Sequence, residues 1–225
     1  MSQARCCDHQ QSATLSETMQ DAVFTIGHST HSQERFFDLL RRHDITALCD
    51  VRSKPYSRIN PQFNREELRR SLRASGIAYV FLGKELGARS EDPSCYHNGK
   101  VQYDRIAHTD LFRRGLDRIR EGVKRYRITL MCAEKEPLEC HRTILVARYL
   151  VDLGLHVQHI HADGRIEDHV DALTRLARQL NLREEDMFRG REDVIADAYR
   201  LQGERIAYTS DVADPIDEAV RDVTE

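Results

Sequence analysis

Tryptophan is absent from the 225 residues, and proline (5), glycine (11) and aromatic residues (7%) are all scarce. So little proline and glycine excludes collagen-like and low-complexity chains. Long apolar runs are missing too. None approaches the roughly 20 residues that a membrane-spanning helix needs, so no membrane partner is expected. The first twenty residues, MSQARCCDHQQSATLSETMQ, hold no apolar core of the kind a secretory leader carries, and the expectation is a cytoplasmic protein. Its cysteines are few and irregularly spaced: Cys6, Cys7, Cys49, Cys95, Cys132 and Cys140 fit no disulfide framework of a small secreted domain, which points to reduced thiols. A strong excess of one charge is also lacking. The net charge of −3 gives no global attraction to nucleic acid.

What is present is a globular balance of 40% hydrophobic and 32% charged residues. The charge is unevenly spread. Between Arg52 and Arg73 seven Arg or Lys stand against two Glu, whereas from Asn181 to Glu225 acidic residues outnumber basic ones 13 to 6. The chain is long enough for one good-sized domain, placed over residues 21–180. Residues 1–20 are expected to be disordered, and 181–225 to form an acidic extension, helical or partly disordered.

Apolar periodicity supplies the elements. AVFTIG (22–27), TALCDV (46–51), IAYVFL (77–82), RITLMC (127–132) and HVQHI (156–160) read as strands. SQERFFDLLRRH, REELRRSLRASG, LFRRGLDRIREGV, RTILVARYLVDLG and DALTRLARQLN read as helices, with Gly76 and Gly154 as stops. Thr30 with Gln33, and Asn64 with Glu67, offer capping pairs. The stretch from Gly83 to Tyr103 reads as a loop, either a lid or a surface excursion. Strands alternating with helices predict an α/β fold: an open, mostly parallel sheet of about five strands with helices on both faces. In such sheets ligands bind beyond the carboxyl ends of the strands. The polar loops GHST, RSKPYSRINPQF and CAEKEPLECHR should therefore open onto one edge.

Each loop carries chemistry-bearing residues beside a structural alternative. Cys132 and Cys140 flank a strand-to-helix junction, where a helix start and Arg142 would form an anion site and favour thiolate, the nucleophilic form. Buried thiols also serve as simple packing. His141 or His28 would transfer protons, or His28 would be a satisfied core residue. Asp50 and Arg52 alternate with Val51 and so point to one side, as a buried ion pair or as part of the site. Arg52, Lys54 and Arg58 would grip phosphate, with Ser29 and Asn60 as hydrogen-bonding partners and Tyr56 and Phe63 for stacking on a base. A metal held by Cys132, Cys140 and His141 is weighed and set aside, because seven residues separate the two cysteines where structural zinc knuckles usually have two to four. No metal and no cofactor are expected.

Taken together, TIGHST, DVRSKPYSRINPQFN, GIAYVFLGKELGAR and LMCAEKEPLECHRTILVARYL resemble the domain of unknown function 488 family, over roughly Val23 to Asp163. The resemblance places the family pattern on His28, Ser29, Asp50, Arg52, Pro55, Ser57, Asn60, Phe63, Asn64, Leu86, Gly87, Cys132, Glu134, Cys140, His141 and Arg142. It implies where a site lies and brings no settled activity. In topology the junction is also similar to the thiol loops of rhodaneses and cysteine phosphatases, although Arg142 stands ten positions after Cys132 in an acidic stretch without glycine. The expectation is a thiol-containing, anion-recognising site acting on a nucleotide or nucleic acid, as a cysteine-dependent hydrolase or transferase. The alternatives are a nucleic-acid-binding or regulatory module with structural or redox-sensing cysteines, and a small metal-binding protein.

Overall fold

A computed structural model describes residues 22–182 and 190–210. Six strands form the main sheet in the order β3-β2-β6-β1-β7-β8. They are β1 (Ala22–Gly27), β2 (Ala47–Asp50), β3 (Ala78–Phe81), β6 (Ile128–Cys132), β7 (His156–Ile160) and β8 (Ile166–Asp168). The first five run parallel, as strands that alternate with helices must when each crossover returns to the same edge. β8 is the addition to the expected five. It pairs antiparallel with β7, and its three residues are too short to show a period in the sequence.

Alternation along the strands divides the core into two layers. Phe24 and Ile26 of β1, Leu48 of β2 and Met131 of β6 face α1 (Gln33–Arg42) and α2 (Arg65–Ala74), whose Phe36, Leu39, Leu40, Leu68 and Leu72 are buried. Val23, Cys49, Leu130 and Val157 face the other way. They meet α5 (Asp110–Val123) and the helix after β6, whose first turns (Arg142–Ala147) are widened to i→i+5 spacing before α6 (Arg148–Asp152). Such widened turns are rare and frequent at functional sites.

The stretch read as a loop contains α3 (Gly83–Leu86), a small hairpin of β4 (Tyr96–His97) and β5 (Lys100–Val101), and then the start of α4 (Tyr103–Ala107). Asn98 and Gly99 both take positive φ between the two short strands, the two-residue turn for which Asn-Gly is the sequence signature. The helix read at DALTRLARQLN is α7 (His169–Gln179). The acidic extension contributes α8 (Arg191–Ile206), which buries Val194, Ala198 and Tyr199 and packs on α7, Leu138 and Ile144. Residues 1–21, 183–189 and 211–225, on which the expectations of disorder fall, lie outside the described residues.

Two caps differ from the sequence reading. Ser32, not Thr30, caps α1 by accepting from the Arg35 amide. Asn64 does precede α2, but its side chain makes no cap bond; Oδ1 accepts from the Ser57 amide at 2.6 Å and so ties down the loop after β2. Among the described residues no helix is long and apolar enough to cross a membrane.

Candidate functional site

β6 lies between β2 and β1 in the sheet, so the ends of these three strands are immediate neighbours. The loops that leave them surround one cavity of about 420 Å³. His28, Ser29 and Thr30 come from the first loop, and Arg52, Ser53, Lys54, Tyr56, Ser57 and Asn60 from the second. Cys132, Ala133, Glu134 and His141 come from the third, and Ala88 and Arg89 follow α3. Convergence at one edge is thus what the parallel topology produces. Arg58 is exposed and outside the cavity, and Asp50, Cys140 and Arg142 lie behind its lining.

Arg52 is gripped from several sides. Its Nε and Nη2 donate to the two oxygens of Asp50 at 2.9 and 2.7 Å, and Nη2 also donates to the Phe63 carbonyl at 2.8 Å. Nη1 lies 3.2 Å from Nε2 of His28. Asp50 is completely buried and accepts further from the Tyr79 hydroxyl and the Arg52 amide, so the pair is structural as well as facing the cavity through Arg52. With Nδ1 of His28 2.9 Å from the Ser29 carbonyl, the consistent tautomer donates from Nδ1 and accepts from Arg52 at Nε2. Burial, and then the Arg52 charge, lower the pKa of His28 to about 4, which keeps it neutral. Its ring stacks on Phe63 at 4.4 Å. Both ring nitrogens are engaged, and His28 positions Arg52.

The third loop folds back on itself. After Cys132 the chain turns through Pro137–Glu139, where the Cys140 amide donates to the Pro137 carbonyl at 3.2 Å. Arg142, fully buried, holds this turn closed by donating from Nη1 to the Glu134 carbonyl at 2.8 Å. Gly27 makes room for it: a Cβ there would lie 1.8 Å from that same carbonyl oxygen. Arg142 is therefore a loop clamp bonded to backbone, where the sequence reading had it as an anion clamp.

Closure of the loop brings a cluster of polar groups to the cavity floor. Nδ1 of His141 is 3.6 Å from Sγ of Cys132 and 3.8 Å from Sγ of Cys140, while Nε2 sits 3.0 Å from the Val51 carbonyl. Cys140 Sγ is 2.9 Å from Glu134 Oε2. Burial, the neighbouring Cys140 and the Glu134 charge push Cys132 well up. Burial would also raise Cys140, but the hydrogen bond from Cys132, the Arg142 guanidinium and His141 outweigh it and hold the thiol well below its ordinary range. Burial and then the charge of Cys140 raise Glu134 above the usual carboxylate range. By contrast Cys49, away from the floor, is pushed up to about 12, chiefly by burial.

Glu134 and Arg89 are the site residues that a search for thiols, imidazoles and basic runs passes over. Glu134 carries no thiol, imidazole or positive charge, and only the family resemblance pointed to it. Arg89 follows a helix of only four residues, α3, and its amide donates to Ser53 Oγ at 3.0 Å while its guanidinium stacks over Tyr208.

A doubly layered α/β domain with a polar, thiol-bearing cavity beyond its parallel strands is the class defined by these features. The family pattern described as domain of unknown function DUF488 matches residues 32–150, more than half of the chain. The chain belongs to this family. The match takes in the loop after β2, the α3 segment and the whole of Cys132–Arg142, and leaves His28 and Ser29 just outside. No curated protein and no solved structure matches the chain.

Proposed function

We propose that the cavity is an anion-recognising site that takes a phosphate-bearing nucleotide unit, free or within a nucleic acid strand, and that its thiol-bearing floor acts on it as a hydrolase or transferase. The observation that carries this reading is the assembly of Arg52, Lys54 and Arg89 with the hydroxyls of Ser29, Thr30, Ser53 and Ser57 around one cavity. Cationic and hydroxyl donors converging in a concave site favour a phosphate. Tyr56, 48% exposed among the lining residues, offers a stacking face for a base. A volume of about 420 Å³ suits a ligand of mononucleotide size.

For the chemical step the floor favours Glu134. It lines the cavity, whereas Cys140, the sulfur held toward thiolate, does not, and Cys132, which does, is held protonated. A carboxyl group at the floor serves proton transfer to or from a bound phosphate ester or base. The two sulfurs and His141 then shape the floor beneath the reacting atoms.

The test is equilibrium binding of the full chain to nucleoside monophosphates, nucleoside triphosphates and single-stranded oligonucleotides over a range of salt, with products followed by mass spectrometry. Expected is salt-dependent binding that Lys54→Ala weakens, lowering the salt slope on oligonucleotides by about one. Glu134→Gln is expected to keep binding and lose turnover. Absence of salt-dependent binding to every one of these probes overturns the reading, and binding without turnover by the unaltered protein reduces it to recognition alone.

A further inference from the structure

Cys132, Cys140 and His141 each offer one ligand atom, and these three atoms lie within 4.8 Å of one another in a buried cluster at the cavity floor. We infer that they form a binding site for a soft divalent transition metal ion of the zinc class, with a fourth coordination position toward the cavity. This goes beyond the anion-recognition reading and does not depend on what the cavity binds.

The distances fit. Tetrahedral zinc, with Zn–S of about 2.3 Å and Zn–N of about 2.0–2.1 Å, separates a sulfur from a nitrogen ligand by about 3.5 Å. The imidazole Nδ1 is 3.6 and 3.8 Å from the two sulfurs. The orientation fits as well: Nε2 lies 3.0 Å from the Val51 carbonyl, so this nitrogen carries the proton and Nδ1 presents its lone pair to the sulfurs. Metal-bound histidines nearly always have such an outer partner, which fixes the tautomer and aims the ring. Two thiolates with one imidazole are a donor set for zinc-class ions rather than for magnesium or calcium.

Charge supports the same assignment. Arg142 is fully buried, and the partners it donates to are the carbonyls of Glu134 and Lys135 rather than a carboxylate. A divalent ion with two thiolates and a neutral imidazole is neutral as a unit, so its binding adds no net charge to a region that already holds the buried Arg142. Each cysteine thiol that enters the coordination sphere gives its proton to solvent, with no change of oxidation state. Cys132, Glu134 and His141 line the cavity and Cys140 does not, so the fourth position faces the cavity beside the Glu134 carboxylate. An open position of this kind separates catalytic from closed structural zinc sites.

The sequence spacing argues against a metal only for a site built as a knuckle. Here seven residues separate the cysteines because the turn at Pro137–Glu139 and the Arg142 clamp bring the second sulfur back to the first.

The test uses the full chain, depleted with a chelator under reducing conditions and titrated with Co²⁺ and then Zn²⁺. Expected is one tightly bound ion per chain, with an intense sulfur-to-cobalt charge-transfer band that Zn²⁺ abolishes. Because Cys6, Cys7 and His9 form a second group of soft donors in the sequence, Cys6→Ser/Cys7→Ser serves as a control and should keep the band. Cys132→Ser and Cys140→Ser, each shown to be folded by circular dichroism, should lose the band and bind at least about 100-fold more weakly, since outer-shell losses alone cost about 10–100-fold. Lys54→Ala should leave metal stoichiometry unchanged, which separates this proposal from the anion reading. No band in the unaltered chain, or a band lost in Cys6→Ser/Cys7→Ser and kept in Cys132→Ser, overturns the assignment, whatever the folding of the other variants.

Discussion

Nη1 of Arg52 lies 3.2 Å from Nε2 of His28, so a side chain from the end of β1 steadies the guanidinium that rises from the end of β2. Asp50 completes the arrangement from below with two oxygens at 2.9 and 2.7 Å. Replacing Asp50 with Asn removes the balancing charge while Arg52 stays only 5% exposed. Breaking a buried pair from one side costs about 3–5 kcal/mol. Urea denaturation of Asp50→Asn is expected to show a loss of that size, and a change below about 1 kcal/mol would mean that water already reaches the guanidinium.

Phe63 joins the same arrangement in two ways, through its ring against His28 at 4.4 Å and its carbonyl under Arg52 at 2.8 Å. It is fully buried and also meets Phe36 edge-on at 5.1 Å. Truncation to Ala should cost about 3–5 kcal/mol, as for other buried aromatic residues. On the proposed function, nucleotide affinity should fall together with stability, because His28 loses the ring it stacks on and with it the fixed position from which it holds Arg52, while the carbonyl under Arg52 is kept. Thermal unfolding and ligand binding measured on one preparation check both.

Gly27 is required by contact and not by backbone conformation. A Cβ there would sit 1.8 Å from the Glu134 carbonyl, a backbone atom that cannot swing aside. Overpacking of this kind costs about 1–3 kcal/mol. Gly27→Ala should therefore be destabilised by that amount and should shift the loop that carries Glu134; on the proposed function this changes turnover more than phosphate binding. Equal losses in both would argue that the loop is not what moves.

Away from the cavity, a buried relay runs from Thr25 Oγ1 to His159 at 2.8 Å, on to His169 at 3.0 Å and to the Tyr199 hydroxyl at 2.7 Å. Burial lowers His169 to about 4, and burial with the charges of His169, Arg142, His161 and Arg175 lowers His159 further below its ordinary value. An unfolded histidine protonates near pH 6.5. Between that value and about 4 the unfolded chain holds more protons, so stability rises with pH across this window and falls on acidification. His169 alone corresponds to about 3 kcal/mol over the whole window. Chemical denaturation at pH 7, 6 and 5 should show the decline, and His169→Phe should flatten it. A flat profile in the unaltered protein would refute the buried neutral state.

The strands and helices were legible because side-chain periodicity is local. AVFTIG and HVQHI fall on β1 and β7 residue for residue, and Gly76 and Gly154 take the positive φ that their positions as helix stops require. The meeting of the three polar loops was legible too, since parallel strands joined by right-handed crossovers send the loops after them to one edge. Local pattern and chain order thus fix the fold class and the edge at which these three loops meet.

Which groups face the cavity was decided only by the tertiary structure. Arg52, Arg58 and Arg142 look alike in sequence, yet Arg52 is held at the cavity wall by Asp50 and His28, Arg58 points to solvent, and Arg142 is buried as a loop clamp. The encounter of Cys132 with Cys140 and His141 depends on that clamp and on the missing Cβ of Gly27, a residue more than a hundred positions away. Periodicity reports which face of an element is buried, but closing a loop depends on contacts between distant segments, and those exist only once the sheet has brought its strand ends together.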